Sequence, residues 1–289
     1  MNIITQLVRS VTKQLTPFYK DERIAYNNAW DLVEALTNVD RSVLFAQQDF
    51  ELSEEQKKQL TEWIRQIKEE NKPIQYILGT VPFLDLNIYV EPPTLIPRPE
   101  TEEWCAKLIM QLKELAMHNM NILDLCTGSG CIALSIAQAF PDSTIYATDI
   151  STTALALAQK NAIAHNITNV HFIQSDVYQN IPDIKFDLIV ANPPYITSEE
   201  FAQLEPTVTA WEDPLALTCH DSGLKIIKKT IAFAPNYLQF LNKELPQLWI
   251  EIGSRQASVV SQLFEQAGFE PQVLKDLYGN ERVVVGKFK

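Results

Sequence analysis

The stretch Phe186-Asp-Leu-Ile-Val-Ala-Asn-Pro-Pro-Tyr195 decides how the chain is read. Its apolar run, Leu188 to Ala191, reads as a short strand buried on both faces of a parallel sheet. Asn192-Pro193-Pro194-Tyr195 ends that strand, because two prolines supply no N–H to a ladder or a helix. Residues before proline are pushed to extended geometry, so Asn192 and Pro193 are expected to be extended, with carbonyls facing outward. The Asn192 side-chain oxygen and the Pro193 carbonyl can then take both hydrogens of one planar NH2 group. Tyr195 offers a flat face to whatever carries that group. Such a clamp suits an amide or an exocyclic base amine. Drawing both hydrogens toward fixed acceptors makes the nitrogen more electron-rich and aims it for attack, without a carboxylate base at the first step.

Outward from this corner, the chain alternates helix and strand from residue 102 to its end. Strands are expected at 121–125, 144–148, 170–174, from 188, and at 247–252. Helices are expected at 102–117, 131–140, 152–165, around 223–241, and at 255–267. Two closing strands, 271–276 and 282–289, suggest an antiparallel hairpin at one edge. This is an α/β pattern: a parallel sheet covered by helices on both faces.

Three further strand ends bring candidates to the same crevice. Asp124-Leu-Cys-Thr-Gly-Ser-Gly130 joins the first strand to its helix, and its small residues let the backbone approach a ligand. Its spacing is not the GxGxxG of a dinucleotide site. Asp149 ends the second strand about 20 residues on, where a carboxylate can hold both hydroxyls of a ribose. Asp176 follows the third, placed to accept from an adenine amine with Val177 against the ring. Carboxylates around the crevice would also suit a positively charged sulfonium.

Residues 1–72 read as helices, with apolar positions at helical spacing in Ile3, Leu7, Val11 and Leu15, in Ile24, Trp30, Leu32, Val33 and Leu36, and in Leu60, Trp63, Ile64 and Ile67. Ser53 and Gln56 have capping-box spacing. The expectation is a small bundle that caps the protein or docks a protein substrate. Pro73 is expected to end the helices, and 73–95 to form a hairpin linker ahead of a catalytic domain at 96–289. The proline-rich segment 91–102 is expected to be irregular, to wall the site through Arg98, and to cap the following helix through Glu100 or Thr101.

With 36 acidic and 24 basic residues the chain carries a net charge of -12, which argues against a broad nucleic-acid footprint. Cys105, Cys126, Cys131 and Cys219 form no CxxC pair and have no histidine at a ligand-like spacing, so no metal is expected. Scattered thiols suit a reducing compartment. Residues 1–14 do not read as a signal peptide, and no apolar run is long enough for a bilayer, so the expected location is cytoplasmic and no membrane partner is expected.

Over its whole length the chain resembles the peptide chain release factor glutamine methyltransferases, the PrmC/HemK family. The resemblance rests on the helical N-terminal region, Pro73-Ile-Gln-Tyr-Ile-Leu-Gly79, Thr94-Leu-Ile-Pro-Arg-Pro-Glu-Thr-Glu102, the 124–130 loop, Asn192-Pro-Pro-Tyr195, Glu251-Ile-Gly253 and Tyr278-Gly-Asn-Glu-Arg282. It implies a class I S-adenosylmethionine-dependent methyltransferase domain of Rossmann-like fold, with an antiparallel edge hairpin, preceded by a small helical bundle. The implied reaction is methyl transfer from S-adenosylmethionine, without a metal, to the side-chain amide nitrogen of the glutamine in the Gly-Gly-Gln motif of class 1 release factors.

In that scheme Asn192 and Pro193 bind the amide, Pro194 shapes the turn, and Tyr195 packs against the glutamine. Cys126, Thr127, Gly128, Ser129 and Gly130 hold the methionine part of the cofactor. Asp124, Asp149, Asp176, Val177 and Asn192 complete its site. Cys126 departs from the family pattern, which often has glycine there, and its backbone is expected to avoid positive φ. Glu251 matches the family without a derived role. The alternatives are an adenine-N6 methyltransferase acting on nucleic acid, for which the same clamp would grip a base amine, and a non-catalytic scaffold that keeps the fold. A nicotinamide oxidoreductase would need the three-glycine fingerprint.

Overall fold

The computed structural model describes residues 3–46, 50–239 and 244–288. The chain divides into two units, Met1–Gly79 with Pro206–Trp211, and Thr80–Glu205 with Glu212–Lys289. Expected helix and strand ends at residues 241 and 289 lie outside the described residues, as do residues 1 and 2.

The first unit is helical: α1 (Ile3–Tyr19), α2 (Glu22–Thr37), α3 (Arg41–Ala46), α4 (Glu54–Glu70) and α5 (Ile74–Leu78). The buried stripe of α1 is Ile4, Val8, Val11 and Leu15, one position round from part of the expected set, because Ile3 faces outward. Ile24 is likewise exposed, and α2 instead buries Ala25 and Ala29 with Trp30, Leu32 and Val33. Small residues on that face let α1 and α2 approach closely, and the α4 residues Leu60, Ile64 and Ile67 close the same core. Ser53 and Gln56 form the expected capping box at the start of α4. Pro73 does not end the helices; it stands at the N-cap of α5, where a missing N–H costs nothing. The hairpin begins only at Thr80.

Pro206–Trp211, including the short α10 (Pro206–Thr209), completes this unit from a distant part of the sequence. Trp211 Nε1 donates to the Glu70 carbonyl at 2.9 Å, filling one of the acceptors that the end of α4 leaves open. Lys72 Nζ lies 5.4 Å from the centroid of the Trp211 ring.

The second unit opens with the antiparallel pair β1 (Thr80–Phe83) and β2 (Leu86–Tyr89). There follow α6 (Pro99–Glu114), β3 (Asn121–Leu125), α7 (Cys131–Ala139), β4 (Thr144–Asp149), α8 (Thr152–Ala164), β5 (Val170–Gln174) and β6 (Leu188–Ala191). Past the short helices α9 (Ser198–Phe201) and α11 (Pro214–Leu217) come α12 (Lys225–Tyr237), β7 (Leu248–Glu251), α13 (Ala257–Gln266), β8 (Phe269–Lys275) and β9 (Glu281–Phe288).

Seven of these strands form one sheet in the order β5-β4-β3-β6-β7-β9-β8. The β3 to β7 strands pair in parallel, and β9 runs antiparallel to both β7 and β8, as the close final pair of the sequence predicts. All four residues of β6 are buried, which explains its unbroken apolar run. The chain steps outward from β3 to β5, then crosses to β6 on the other side of β3. The crevice at this reversal is where doubly wound sheets bind ligands.

The proline-rich segment becomes regular sooner than expected. Pro99 is the first residue of α6, where its fixed φ suits the helix, with Arg98 at the N-cap. Glu100 and Thr101 therefore lie within the first turn and do not cap it. This frees the Thr101 side chain to point elsewhere.

Candidate active site

Register places the two halves of the site side by side: Leu125, the last residue of β3, pairs with Ala191, the last residue of β6. From β3 the loop turns through three left-handed residues, Cys126 (φ 62), Gly128 (φ 56) and Gly130 (φ 84). Cys126 thus adopts the positive φ that the sequence reading excluded. Two bonds on the next residue hold the turn: Thr127 N donates to the Thr148 carbonyl at 2.9 Å, and Thr127 Oγ1 donates to Asp124 Oδ2 at 2.6 Å. A thiol is small enough to follow the backbone at a modest steric cost.

Asp124 is fully buried, and among the described residues its Oδ1 has no hydrogen-bond partner. Burial pushes its carboxyl up to about 7. It fastens the loop from behind, with Thr127 and Ser129 also buried and Gly130 packed so closely on α8 that a Cβ would meet that of Ala158 at 3.0 Å. Gly128 differs: a Cβ there would have nothing within 4 Å, so its backbone is open to a ligand. Its N–H donates to Asp149 Oδ2 at 2.9 Å, and Ser151 N donates to Oδ1 at 2.9 Å. Burial raises the Asp149 carboxyl despite these donors.

A cavity of about 570 Å³ fills the crevice, and Cys126, Gly128, Asp149, Asp176, Val177, Asn192 and Pro194 are on its wall. That volume lies within the range of roughly 300–1,000 Å³ common for small-molecule sites. Asp176 Oδ1 is 2.9 Å from Lys229 Nζ, so a cation shares this end of the cavity. Val177 sits at φ 55, costing of order 1–3 kcal/mol for a β-branched residue. Ser175 Oγ, donating to the Val177 carbonyl at 2.9 Å and accepting from Asn180 N at 3.2 Å, holds it there.

At the proline corner, Asn192 Nδ2 donates to Thr101 Oγ1 at 3.2 Å. Its Oδ1 is the end left to accept. Pro193 is buried and is not on the cavity wall, whereas Pro194 is. Tyr195 is also off the wall: its ring packs partly buried against the sheet core, and its hydroxyl donates to Glu251 Oε1 at 3.2 Å. Gln256 Nε2 donates to the Tyr195 carbonyl at 3.0 Å, and Gly223, at φ 75, passes so near that a Cβ would lie 2.0 Å from that oxygen.

Comparison with known proteins gives this crevice a family. Residues 6–79 match the PrmC N-terminal domain, and residues 105–208 match the Methyltransferase small domain. The release factor glutamine methyltransferase of Flavobacterium psychrophilum is 37% identical over 274 residues, covering 93% of this chain and 94% of that protein. The chain belongs to the release factor glutamine methyltransferase family. The family member of Coxiella burnetii is 36% identical and spans 98% of each chain. In fold, the chain is similar to the crystal structure of a methyltransferase from Pyrococcus furiosus, at a TM-score of 0.52 and 14% identity over 82% of this chain and all of that one. Among the described residues no helix is long and apolar enough to cross a membrane.

The wall expected of segment 91–102 is carried by Pro93, Thr94 and Leu95, which line the cavity, whereas Asp213, Leu215 and Thr218 on the same wall were not foreseen from the sequence. Two links hold these segments together: Asp213 N donates to the Pro93 carbonyl at 2.7 Å, and Arg98 Nη2 donates to both carboxylate oxygens of the buried Glu212 at 2.7 Å. The wall expected of Arg98 therefore works through Glu212. Asp213-Pro214 was a readable signal, since a capping Asp followed by Pro at the first helical position opens α11. The partners of Thr101 and Glu251 had no local signal, because they lie 150 residues apart in sequence.

Proposed function

We propose that this enzyme transfers a methyl group from S-adenosylmethionine to the side-chain amide nitrogen (N5) of the glutamine in the Gly-Gly-Gln motif of class 1 peptide chain release factors, in the cytoplasm. The observation that carries the reading is the Asn192 amide, whose nitrogen is engaged by Thr101 and whose oxygen is left to accept at the cavity wall. Family membership sets the substrate class.

The residues fit the cofactor on three counts. Gly128 leaves its backbone open, Asp149 presents a carboxylate already ordered by two N–H groups, and the cavity reaches from both to Asp176 and Val177. Asp149 would hold the ribose, Asp176 and Val177 the adenine, and the loop from Cys126 to Gly130 the methionine part, with Asp124 bracing the loop. When bound, S-adenosylmethionine supplies an electrophilic methyl on a positively charged sulfur.

The chain's own part is to present the amide. Asn192 Oδ1 and the Pro193 carbonyl accept the two hydrogens of the glutamine NH2, Pro194 fixes the corner, and Tyr195, off the cavity wall, braces that corner through its hydroxyl bond to Glu251. Holding both hydrogens localises the nitrogen lone pair and fixes its direction, so little reorganisation remains. The nitrogen would gain the methyl as the carbon–sulfur bond breaks, the bonding pair staying on sulfur to leave neutral S-adenosylhomocysteine, and would give up one proton to solvent. No nucleic acid, membrane or metal enters the scheme.

Mass spectrometry of a class 1 release factor incubated with the protein and S-adenosylmethionine tests the reading. One added methyl on the Gly-Gly-Gln glutamine, and none when that glutamine is replaced by alanine, is the expected result. An unmodified glutamine would refute it.

A further inference from the structure

Glu251 ends β7 next to the proline corner, only 2% exposed, and its hydrogen-bond partners among the described residues are three side-chain donors. Thr101 Oγ1 and Trp104 Nε1 each donate to Oε2 at 2.7 Å, and the Tyr195 hydroxyl donates to Oε1 at 3.2 Å. Two of these donors belong to α6 and the third follows β6, so one carboxylate gathers the elements around Asn192. Burying a carboxylate among neutral donors is an expensive way to pack a core; apolar residues of the same shape would serve stability as well or better. The arrangement has a directional consequence instead.

A carboxylate can only accept. The single Thr101 hydroxyl hydrogen is therefore committed to Glu251, and the Thr101 oxygen turns its lone pairs toward Asn192. Only the NH2 end of the Asn192 amide can satisfy that oxygen. The flipped amide would set Oδ1 against the Thr101 lone pairs and point two donors at the incoming NH2 group.

We infer that Glu251 and Thr101 form a polarity relay that locks the Asn192 amide with its oxygen toward the substrate nitrogen, which makes both of them positioning residues for the transfer. The inference rests on the amide-binding role of Asn192 proposed above. Tyr195 takes part through its hydroxyl, which anchors the residue three past Asn192 to the same carboxylate.

The test compares Thr101→Val, which keeps the shape and removes the hydroxyl, with Thr101→Ser, which keeps the hydroxyl, and with Glu251→Gln, whose amide can donate to Thr101 and reverse the relay. Thr101→Val and Glu251→Gln should lower kcat on a release factor roughly tenfold or more with little change in cofactor Kd. Thr101→Ser should stay near the parent. A Thr101→Ser variant as impaired as Thr101→Val, or losses of kcat and cofactor affinity in step, would mean the network only holds the fold.

A second readout needs no turnover. Exchange of the Asn192 Nδ2 hydrogens, followed by NMR, should be slow in the parent and in Thr101→Ser and fast in Thr101→Val. Equal rates in all three would overturn the relay. Failure of the parent to methylate a release factor would count against the substrate assignment, while the exchange rates still decide the orientation of the amide.

Discussion

Gly128 and Asp149 are tied by one hydrogen bond, the Gly128 N–H donating to Asp149 Oδ2 at 2.9 Å. It joins the loop after β3 to the end of β4, so the shape of the open backbone and the placement of the carboxylate are a single feature. Ser151 N secures the other oxygen.

Asp149→Asn should therefore loosen the cofactor more than it slows transfer. An amide has one acceptor oxygen where the carboxylate has two, so either Gly128 or Ser151 loses its partner and the negative charge is gone. Cofactor Kd measured by calorimetry should rise about 10- to 100-fold, with kcat at saturating cofactor changed little. An unchanged Kd would remove Asp149 from the cofactor site.

Gly223→Ala should disturb the corner from outside it. The added Cβ would fall 2.0 Å from the Tyr195 carbonyl at a residue of φ 75, so the backbone must move. A loss of roughly 1–3 kcal/mol in urea unfolding, accompanied by lower kcat, is expected. Gly279→Ala, where the Cβ meets nothing within 4 Å, carries only the positive-φ cost and should leave kcat unchanged.

Arg98→Ala should open the cavity wall. It leaves the buried Glu212 carboxylate without its guanidinium while the neighbouring Asp213 N still holds Pro93. Arg98 is partly exposed, so the expected loss of stability is roughly 1–3 kcal/mol, below that of a wholly buried pair. Cofactor affinity should fall with it. Thermal unfolding and calorimetry on the same variant measure both.

Asp124 gives stability a pH dependence of definite sign. Its folded carboxyl is raised to about 7 from an unfolded value near 3.9, so between these the folded state holds the extra proton. Its contribution is fully present below about 3.9 and is lost as pH rises through about 7. Relative to Asp124→Asn, the parent protein should lose up to about 1.4 kcal/mol per pH unit across that window and level off above it. Urea unfolding of the cofactor-free proteins at several pH values would show this; parallel stability curves would contradict it.

Much of the catalytic unit was legible because its cues are local. The bounds of β3 and β5 follow from short segments rich in Ile, Leu, Val and Phe that come after helical stretches, the end of β6 from two prolines, and the antiparallel edge from the short connection between the last two strands. What escaped depends on partners far apart in sequence. The positive φ of Cys126 is imposed by Thr148 and Asp124 through Thr127, and the inward stripe of α1 is chosen by α2 and α4 from several apolar residues. Pro206–Trp211 gives no local sign that Trp211 reaches Glu70, and Glu251 acquires a role only when the sheet brings it beside Thr101 and Tyr195.

Asn192→Ala, assayed for methyl transfer to a class 1 release factor alongside calorimetric cofactor binding, bears most directly on the account. Because Asn192 is assigned to the amide nitrogen, kcat should fall roughly 100-fold or more while cofactor Kd stays within about threefold. Equal losses in both, or a kcat close to that of the parent, would contradict the assignment.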